Sequence, residues 1–186
     1  MFWLILGVAL WWAAHLFKRV VPGQRAALQD RLGDGSKGIV ALVLLVSVVL
    51  MVSGYRGADF IPVYDPPGWA LHLNNLMMLI AVILFGMGSS KGRMRAWLRH
   101  PMLTGFAVWA LAHLLVNGDL ASVILFGGLL IWVPVEMVVI NRSADTWVRP
   151  EPGAPAGDIR LIIISVVVFA VIGALHGWLG PWPFPG

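Results

Sequence analysis

The sequence predicts an all-α, polytopic integral membrane protein, a single domain over residues 1–186 built as a bundle of six transmembrane helices with both termini in the periplasm. Two compositional observations support this prediction. The chain is 59% hydrophobic and 12% charged, and soluble domains carry about twice that charged fraction. Its mean hydropathy of +0.85 also excludes disorder, since disordered segments combine low hydrophobicity with high charge. The absence of cysteine excludes a disulfide-stabilised scaffold.

The third observation is the length of the uncharged stretches. An α-helix needs about 20 apolar residues to cross roughly 30 Å of hydrocarbon. Six stretches approach or meet this length, and Glu136 is the one charged residue in their interiors, since Arg160 stands at the edge of the last. They are residues 1–17, 38–55, 67–88, 101–117, 120–140 and 159–180. Because every backbone polar group in a bilayer must be bonded within the protein, such continuous runs predict helices.

The basic residues predict the orientation, because cytoplasmic connections carry the excess of Lys and Arg. Twelve of the thirteen lie in the first, third and fifth connections, and Arg56 in the second is the exception. We therefore expect those three connections in the cytoplasm and the protein in the bacterial inner membrane as a multi-pass protein, with no nucleic-acid partner. The twelve residues are Lys18, Arg19, Arg25, Arg31, Lys37, Lys91, Arg93, Arg95, Arg99, Arg142, Arg149 and Arg160.

Local signals predict how the connections begin and end. Basic residues follow the first stretch at once, as expected of an uncleaved anchor rather than a signal peptide. Residues 24–32 favour a short interfacial helix closed by Gly33. The string Asn117-Gly118-Asp119 combines a helix stop with an N-cap and predicts a tight hairpin on the outer side.

Polar groups inside a membrane are costly, so each one is a candidate site residue. All the histidines lie in or at the end of a predicted helix, namely His15, His72, His100, His113 and His176. Without cysteine, and with one carboxylate inside the helices, the chain is poorly supplied with ligands for zinc or a di-iron centre. Haem needs only one or two imidazoles. The alternative is that each histidine donates a hydrogen bond across a helix interface.

Depth along the helices sorts the histidines into two sets. His15 and His100 lie toward the cytoplasmic ends of predicted helices, whereas His72, His113 and His176 lie in the outer half, at a rise of about 1.5 Å per residue. Position alone therefore favours ligand pairs within one set. The pair His72 and His113 is the geometric rival to any pair that joins the two sets.

The string Arg99-His100-Pro101 is the most distinctive local motif. Proline at the first helical position leaves backbone N–H groups exposed toward the cytoplasm, where the helix dipole adds positive charge. With Arg99 and His100, these groups predict an anion site suited to haem propionates, a cofactor carboxylate or a lipid phosphate. Trp12 and Trp109 precede histidines by three and four residues. They are candidates for a pocket wall, with lipid contact or helix packing as the alternative.

These motifs together resemble the NnrU family of bacterial membrane proteins over nearly the whole chain. The strings that carry the resemblance are His15 in the first helix, Tyr55-Arg56-Gly57, Arg99-His100-Pro101 with Gly105, the run from Trp109 to Leu114, and Asn117-Gly118. That family is associated with denitrification and nitric oxide metabolism. It is similar to the 15-cis-zeta-carotene isomerases, which carry haem b.

The resemblance implies that His15 and His113 bind the iron of haem b between the first and fourth predicted helices, with Arg99 and His100 near the propionates. The isomerases have a cysteine just upstream of the second histidine, where this chain has Ala110. Ligand exchange by a thiolate is therefore impossible here, which weakens the hypothesis that the protein is an isomerase. The implied ligand is a small gas or a hydrophobic molecule, and the surroundings are membrane lipid.

Two further functions stay open. The Arg-His-Pro string with Gly105 is also similar to isoprenylcysteine carboxyl methyltransferases, where it helps to bind S-adenosylmethionine. The paired glutamate of that pattern is absent, and Glu136 is instead expected to snorkel or to pair with an arginine. A non-catalytic membrane assembly factor is the other function. No catalytic acid or base can be named, so the sequence does not decide whether the protein is an enzyme.

Overall fold

A computed structural model describes residues 1–143 and 146–185, and its regular elements are helices, which we number α1 to α7. The all-α prediction is confirmed for this part of the chain. A 3₁₀ turn, Met94–Ala96, lies between α4 and α5, and Val123–Gly127 within α6 is π-helical. The helices are α1 Phe2–Val20, α2 Pro22–Leu32, α3 Gly35–Arg56, α4 Ala70–Met87, α5 Pro101–Val116, α6 Leu120–Ser143 and α7 Pro155–Leu179.

Five helices, α1, α3, α4, α6 and α7, are long and apolar enough to cross a membrane. The sixth predicted span corresponds to α5, which has 16 residues and is about 24 Å long at 1.5 Å per residue. A spanning helix has about 17 to 25 residues, so α5 falls just below that range, and the structure gives five helices long and apolar enough to span and one shorter apolar helix. Asn117 ends α5 because its backbone is extended and its side-chain amide donates to the carbonyl of His113 at 2.8 Å.

The local signals at helix ends are confirmed where the structure describes them. The predicted interfacial segment is α2, which begins at Pro22 and ends at Gly33. Gly33 has a φ of 53°, in the left-handed region where glycine carries no Cβ penalty. Asp119 caps α6, since its carboxylate accepts from the backbone N–H of Ser122 at 3.0 Å.

The described chain divides into two compact units, the first holding α1, α2, α3 and α6 and the second holding α4, α5 and α7. In the first unit, glycines bring α1 against α3. A Cβ on Gly7 would lie 2.7 Å from the backbone nitrogen of Met51, and a Cβ on Gly54 would overlap the backbone of Leu4. Small residues at such contacts let helix backbones approach closely, which is how helices associate in lipid.

In the second unit, α4 packs against α5 and α7. A Cβ on Gly105 would lie 3.0 Å from the carbonyl oxygen of Ala81, so glycine sets the spacing of α4 and α5. Leu84 and Met87 of α4 form a buried apolar cluster with Leu161 of α7. The motif glycine at position 105 therefore has a packing role in this fold.

The connection after α4 is fastened to the start of α7. The carboxylate of Asp158 accepts from the backbone N–H of Met94 at 3.0 Å, and the backbone N–H of Gly153 donates to the carbonyl of Gly92 at 3.1 Å. A Cβ on Gly92 would overlap Asp158. Two segments more than sixty positions apart are thus held together by backbone contacts that only small residues permit.

Candidate functional site

His15 lies in the last third of α1, in the first unit. Its Nδ1 is 2.9 Å from the carbonyl oxygen of Trp11, one turn earlier. A carbonyl oxygen can only accept, so Nδ1 carries the proton and the lone pair lies on Nε2. The ring also packs against two indoles, with centroid distances of 4.2 Å to Trp11 and 4.8 Å to Trp132. The hydrogen bond therefore fixes the tautomer of His15, and the two indoles fix the orientation of its ring.

His113 lies in the last turn of α5, in the second unit, and has the same local arrangement. Its Nδ1 is 2.9 Å from the carbonyl oxygen of Trp109, and the two rings are 5.0 Å apart at their centroids. We call His15 and His113 the tryptophan-anchored histidines, meaning that each donates from Nδ1 to the carbonyl of a tryptophan four residues earlier. The Trp-x-x-x-His spacing is visible in the sequence and is the signal for this arrangement.

The tryptophan that anchors His15 is Trp11, and Trp12, a predicted candidate for a pocket wall, has a role in helix packing. The indole N–H of Trp12 points elsewhere and donates to the carbonyl of Gly128 at 3.1 Å, directly after the π-helical turn of α6. The contribution of Trp132 was not predicted from the sequence, because it depends on how α6 packs against α1. No local spacing signals that contact.

The remaining histidines differ from one another. His176, in the last turn of α7, has its Nδ1 2.8 Å from the carbonyl oxygen of Pro181. His72, the rival ligand, is in the first turn of α4 and is exposed. The pairing of His72 with His113 stays a prediction.

The predicted anion site lies at the start of α5. Pro101 occupies the first helical position as expected, and His100 immediately precedes it. The carbonyl of His100 accepts from both the N–H and the hydroxyl of Thr104, each at 2.9 Å. Arg99 and His100 are both partly buried. The anion prediction relies on the backbone N–H groups of this first turn of α5, and it stays a prediction.

A buried ion pair lies one turn beyond Trp132 in the first unit. The guanidinium of Arg19 donates to Glu136 at 3.0 Å, so the expectation that Glu136 pairs with an arginine is confirmed. The side chain of Glu136 is 95% buried, and its Oε2 has no hydrogen-bond partner among the residues that the structure describes. Glu136 therefore serves to hold α6 against the charged end of α1.

Clusters of three or more side chains that could hold a bare metal ion are absent from residues 1–143 and 146–185. A metal carried in a macrocycle needs fewer protein ligands, and an imidazole with a fixed tautomer is the usual donor. The donor set of this chain thus fits a haem better than a zinc site, which takes three or four ligands from the protein.

Fold and site together define an integral membrane protein with several spans, all helical, that holds two histidines in one fixed tautomer. The sequence comparison then identifies the family. The NnrU protein family matches residues 3–183, and the chain belongs to the NnrU family. No curated protein and no solved structure gives a match to the chain.

Proposed function

We propose that this NnrU-family protein binds haem b, with His15 and His113 as the iron ligands. The observation that carries the proposal is the repetition of the tryptophan-anchored histidine in two helices. In each case the Nδ1–H group donates a hydrogen bond to a backbone carbonyl oxygen at 2.9 Å. Metal-ligating histidines almost always donate their second ring nitrogen in this way, because it fixes the tautomer and raises the basicity of the ligand.

The indoles beside these histidines support the same proposal. Trp11 and Trp132 surround the ring of His15, and Trp109 packs against that of His113. Flat apolar surfaces of this kind exclude water and lower the dielectric around a macrocycle, which is one way in which a protein sets the reduction potential of a haem. Arg99 and His100 lie at the start of α5 and His113 lies in its last turn, about 20 Å apart at 1.5 Å per residue, so these two residues would serve an anion at the start of α5 rather than a propionate of a haem held by His113.

The role that follows is in nitric oxide metabolism and denitrification, as the family resemblance implies. A bound haem supplies one-electron chemistry and an iron that can take a diatomic gas. The residues of the chain would hold the ring and shield it from water. His15 and His113 would hold the iron through their Nε2 atoms, because Nδ1 of each is bonded to a backbone carbonyl.

The absorption spectrum of the purified full-length chain tests this proposal. Protein from haem-replete cells should show a Soret band, and its pyridine complex should have the spectrum of haem b. A colourless protein that instead binds S-adenosylmethionine saturably, in an Arg99-dependent manner, would establish the methyltransferase alternative. A colourless protein that binds neither would leave the assembly-factor function.

We further propose that α5 crosses the membrane despite its length, which gives six spans in the bacterial inner membrane with the basic connections in the cytoplasm. Because the chain has no cysteine, single cysteines can be labelled with a membrane-impermeant maleimide. Asp59→Cys should label in intact spheroplasts, whereas Arg31→Cys and Val148→Cys should label only after permeabilisation. Labelling of Val148→Cys and Arg31→Cys from opposite sides would contradict six spans, because an odd number of crossings would then separate them.

A further inference from the structure

A cleft bounded by α1, α2 and α3 lies at the end of α1 where the basic residues begin. Its volume is about 270 Å³, and we call it the basic cleft. All of its walls belong to the first unit. The residues that line it are Ala14, His15, Phe17, Lys18, Arg19, Arg25, Lys37, Val40 and Leu44.

Only part of the positive charge in the basic cleft is neutralised by nearby carboxylates. Four of its lining side chains are Lys or Arg, and none is Asp or Glu. Arg19 is neutralised by Glu136 at 3.0 Å, and Lys37 by Asp34 at 2.7 Å. Lys18 and Arg25 have no carboxylate within 4.0 Å in the described part of the chain. Two unit charges therefore remain for a ligand.

Arg25 is held in place by neutral groups. One of its terminal nitrogens donates to Oε1 of Gln29 at 3.2 Å and to the hydroxyl of Ser36 at 3.1 Å. Ser36 is fully buried and itself donates to Gln29. These contacts orient the guanidinium without neutralising it. The second terminal nitrogen and Nε form the planar fork that binds phosphate oxygens in pairs.

The floor of the basic cleft is apolar. Ala14 and Phe17 come from α1, and Val40 and Leu44 come from α3, both of which are full-length spans. α2, which supplies Arg25, is a short helix rich in polar residues. The cleft therefore combines a charged rim with a floor that continues along two lipid-exposed helices. A ligand that fits both parts has an anionic head and a hydrocarbon tail.

We propose that the basic cleft binds the phosphate of an anionic phospholipid headgroup, with Arg25 and Lys18 as the contacting residues. Basic pockets between transmembrane helices on the cytoplasmic side are known to recognise such headgroups. The positive-inside pattern alone explains why Lys and Arg are present, but it does not explain why Arg25 is braced by a buried serine. The cleft shares His15 with the proposed haem site, but the proposed lipid contacts, Lys18 and Arg25, take no part in haem ligation, so their substitution tests the lipid proposal alone.

Native mass spectrometry of the full chain in detergent tests the proposal, with dioleoylphosphatidylglycerol and dioleoylphosphatidylcholine as probes. The wild type should prefer the anionic lipid. Lys18→Gln and Arg25→Gln should each weaken its binding about fivefold, with little effect on phosphatidylcholine. The matched control is Arg31→Gln, which removes the same charge from the exposed side of α2 and should leave the preference unchanged.

Charge-conserving variants guard against a loss of binding that reflects misfolding. Lys18→Arg and Arg25→Lys should keep most of the lipid preference. An equal loss in Arg31→Gln, or an undiminished preference in the Lys18→Gln/Arg25→Gln double variant, would overturn the proposal. The source of the phosphate is tested separately with inorganic phosphate. Displacement of bound phosphatidylglycerol by about 10 mM inorganic phosphate, at constant ionic strength, would overturn the lipid assignment in favour of a soluble anion.

Discussion

Arg19 and Glu136 form an ion pair of 3.0 Å between α1 and α6, although 117 positions separate them in the chain. The two ends of the pair differ in environment, since 26% of the arginine side chain is exposed and only 5% of the glutamate side chain. Taking two charges out of water is costly, and their attraction compensates only while both partners are present. The stability of the first unit should therefore depend on which partner of the pair is substituted.

Arg19→Gln should lower the free energy of unfolding by about 3 to 5 kcal/mol, because it leaves the buried carboxylate of Glu136 without its cation. Glu136→Gln should cost less, since the arginine can turn toward water. The double variant should recover most of the loss of Arg19→Gln. Denaturant unfolding in detergent micelles measures all three. Equal losses in the single variants, with no recovery in the double variant, would show that the pair does not hold α6.

The close contact of α1 with α3 predicts opposite signs for two glycines on the same helix. Gly54→Ala should destabilise the protein by about 1 to 3 kcal/mol, since its Cβ would overlap the backbone of Leu4. Gly38→Ala meets nothing within 4 Å and should stabilise α3 by up to about 1 kcal/mol, as alanine does in a helix. Thermal unfolding compares the two. A gain in both variants would show that helix propensity rather than packing decides the effect at Gly54, and a loss in Gly38→Ala would contradict the prediction for that position.

The contact between Asp158 and Met94 predicts that the start of α7 depends on one carboxylate. Asp158→Ala should cost about 1.5 to 3 kcal/mol, because the N–H of Met94 loses a charged acceptor at 3.0 Å. Limited proteolysis of the Lys91 to Arg99 connection should speed up in step. The control is Asp34→Ala, whose ion pair with Lys37 is exposed and which should change neither stability nor cleavage. Unchanged cleavage in Asp158→Ala would contradict this role.

Sequence reasoning succeeded where the cause is local. Continuous apolar runs predicted the five helices that are long and apolar enough to cross a membrane, and Gly33 located the end of α2, whose start at Pro22 lies two residues before the predicted one. The predicted stop at Asn117 is also where α5 ends, but the uncharged run counted as a sixth span is a helix of 16 residues, shorter than the other five. The stop at Asn117 depends on a side-chain bond back to His113.

The candidate site was predictable in part for the same reason. The four-residue spacing from Trp109 to His113 is a local relation, and the structure realises it as a hydrogen bond and a ring contact. The contacts of His15 with Trp132 and of Arg19 with Glu136 join α1 to α6 across more than a hundred positions. Such contacts are set by tertiary packing, which one sequence does not disclose.

The most direct test of the haem proposal is the Soret absorbance per mole of purified protein in three alanine variants. His15→Ala and His113→Ala should abolish or strongly reduce the band, because each removes an imidazole whose Nδ1 is committed to a carbonyl. His72→Ala should leave the band unchanged, since that histidine is exposed and is not one of the tryptophan-anchored pair. A wild-type protein without a Soret band, or a band that is lost in His72→Ala and kept in His15→Ala, would contradict the proposal.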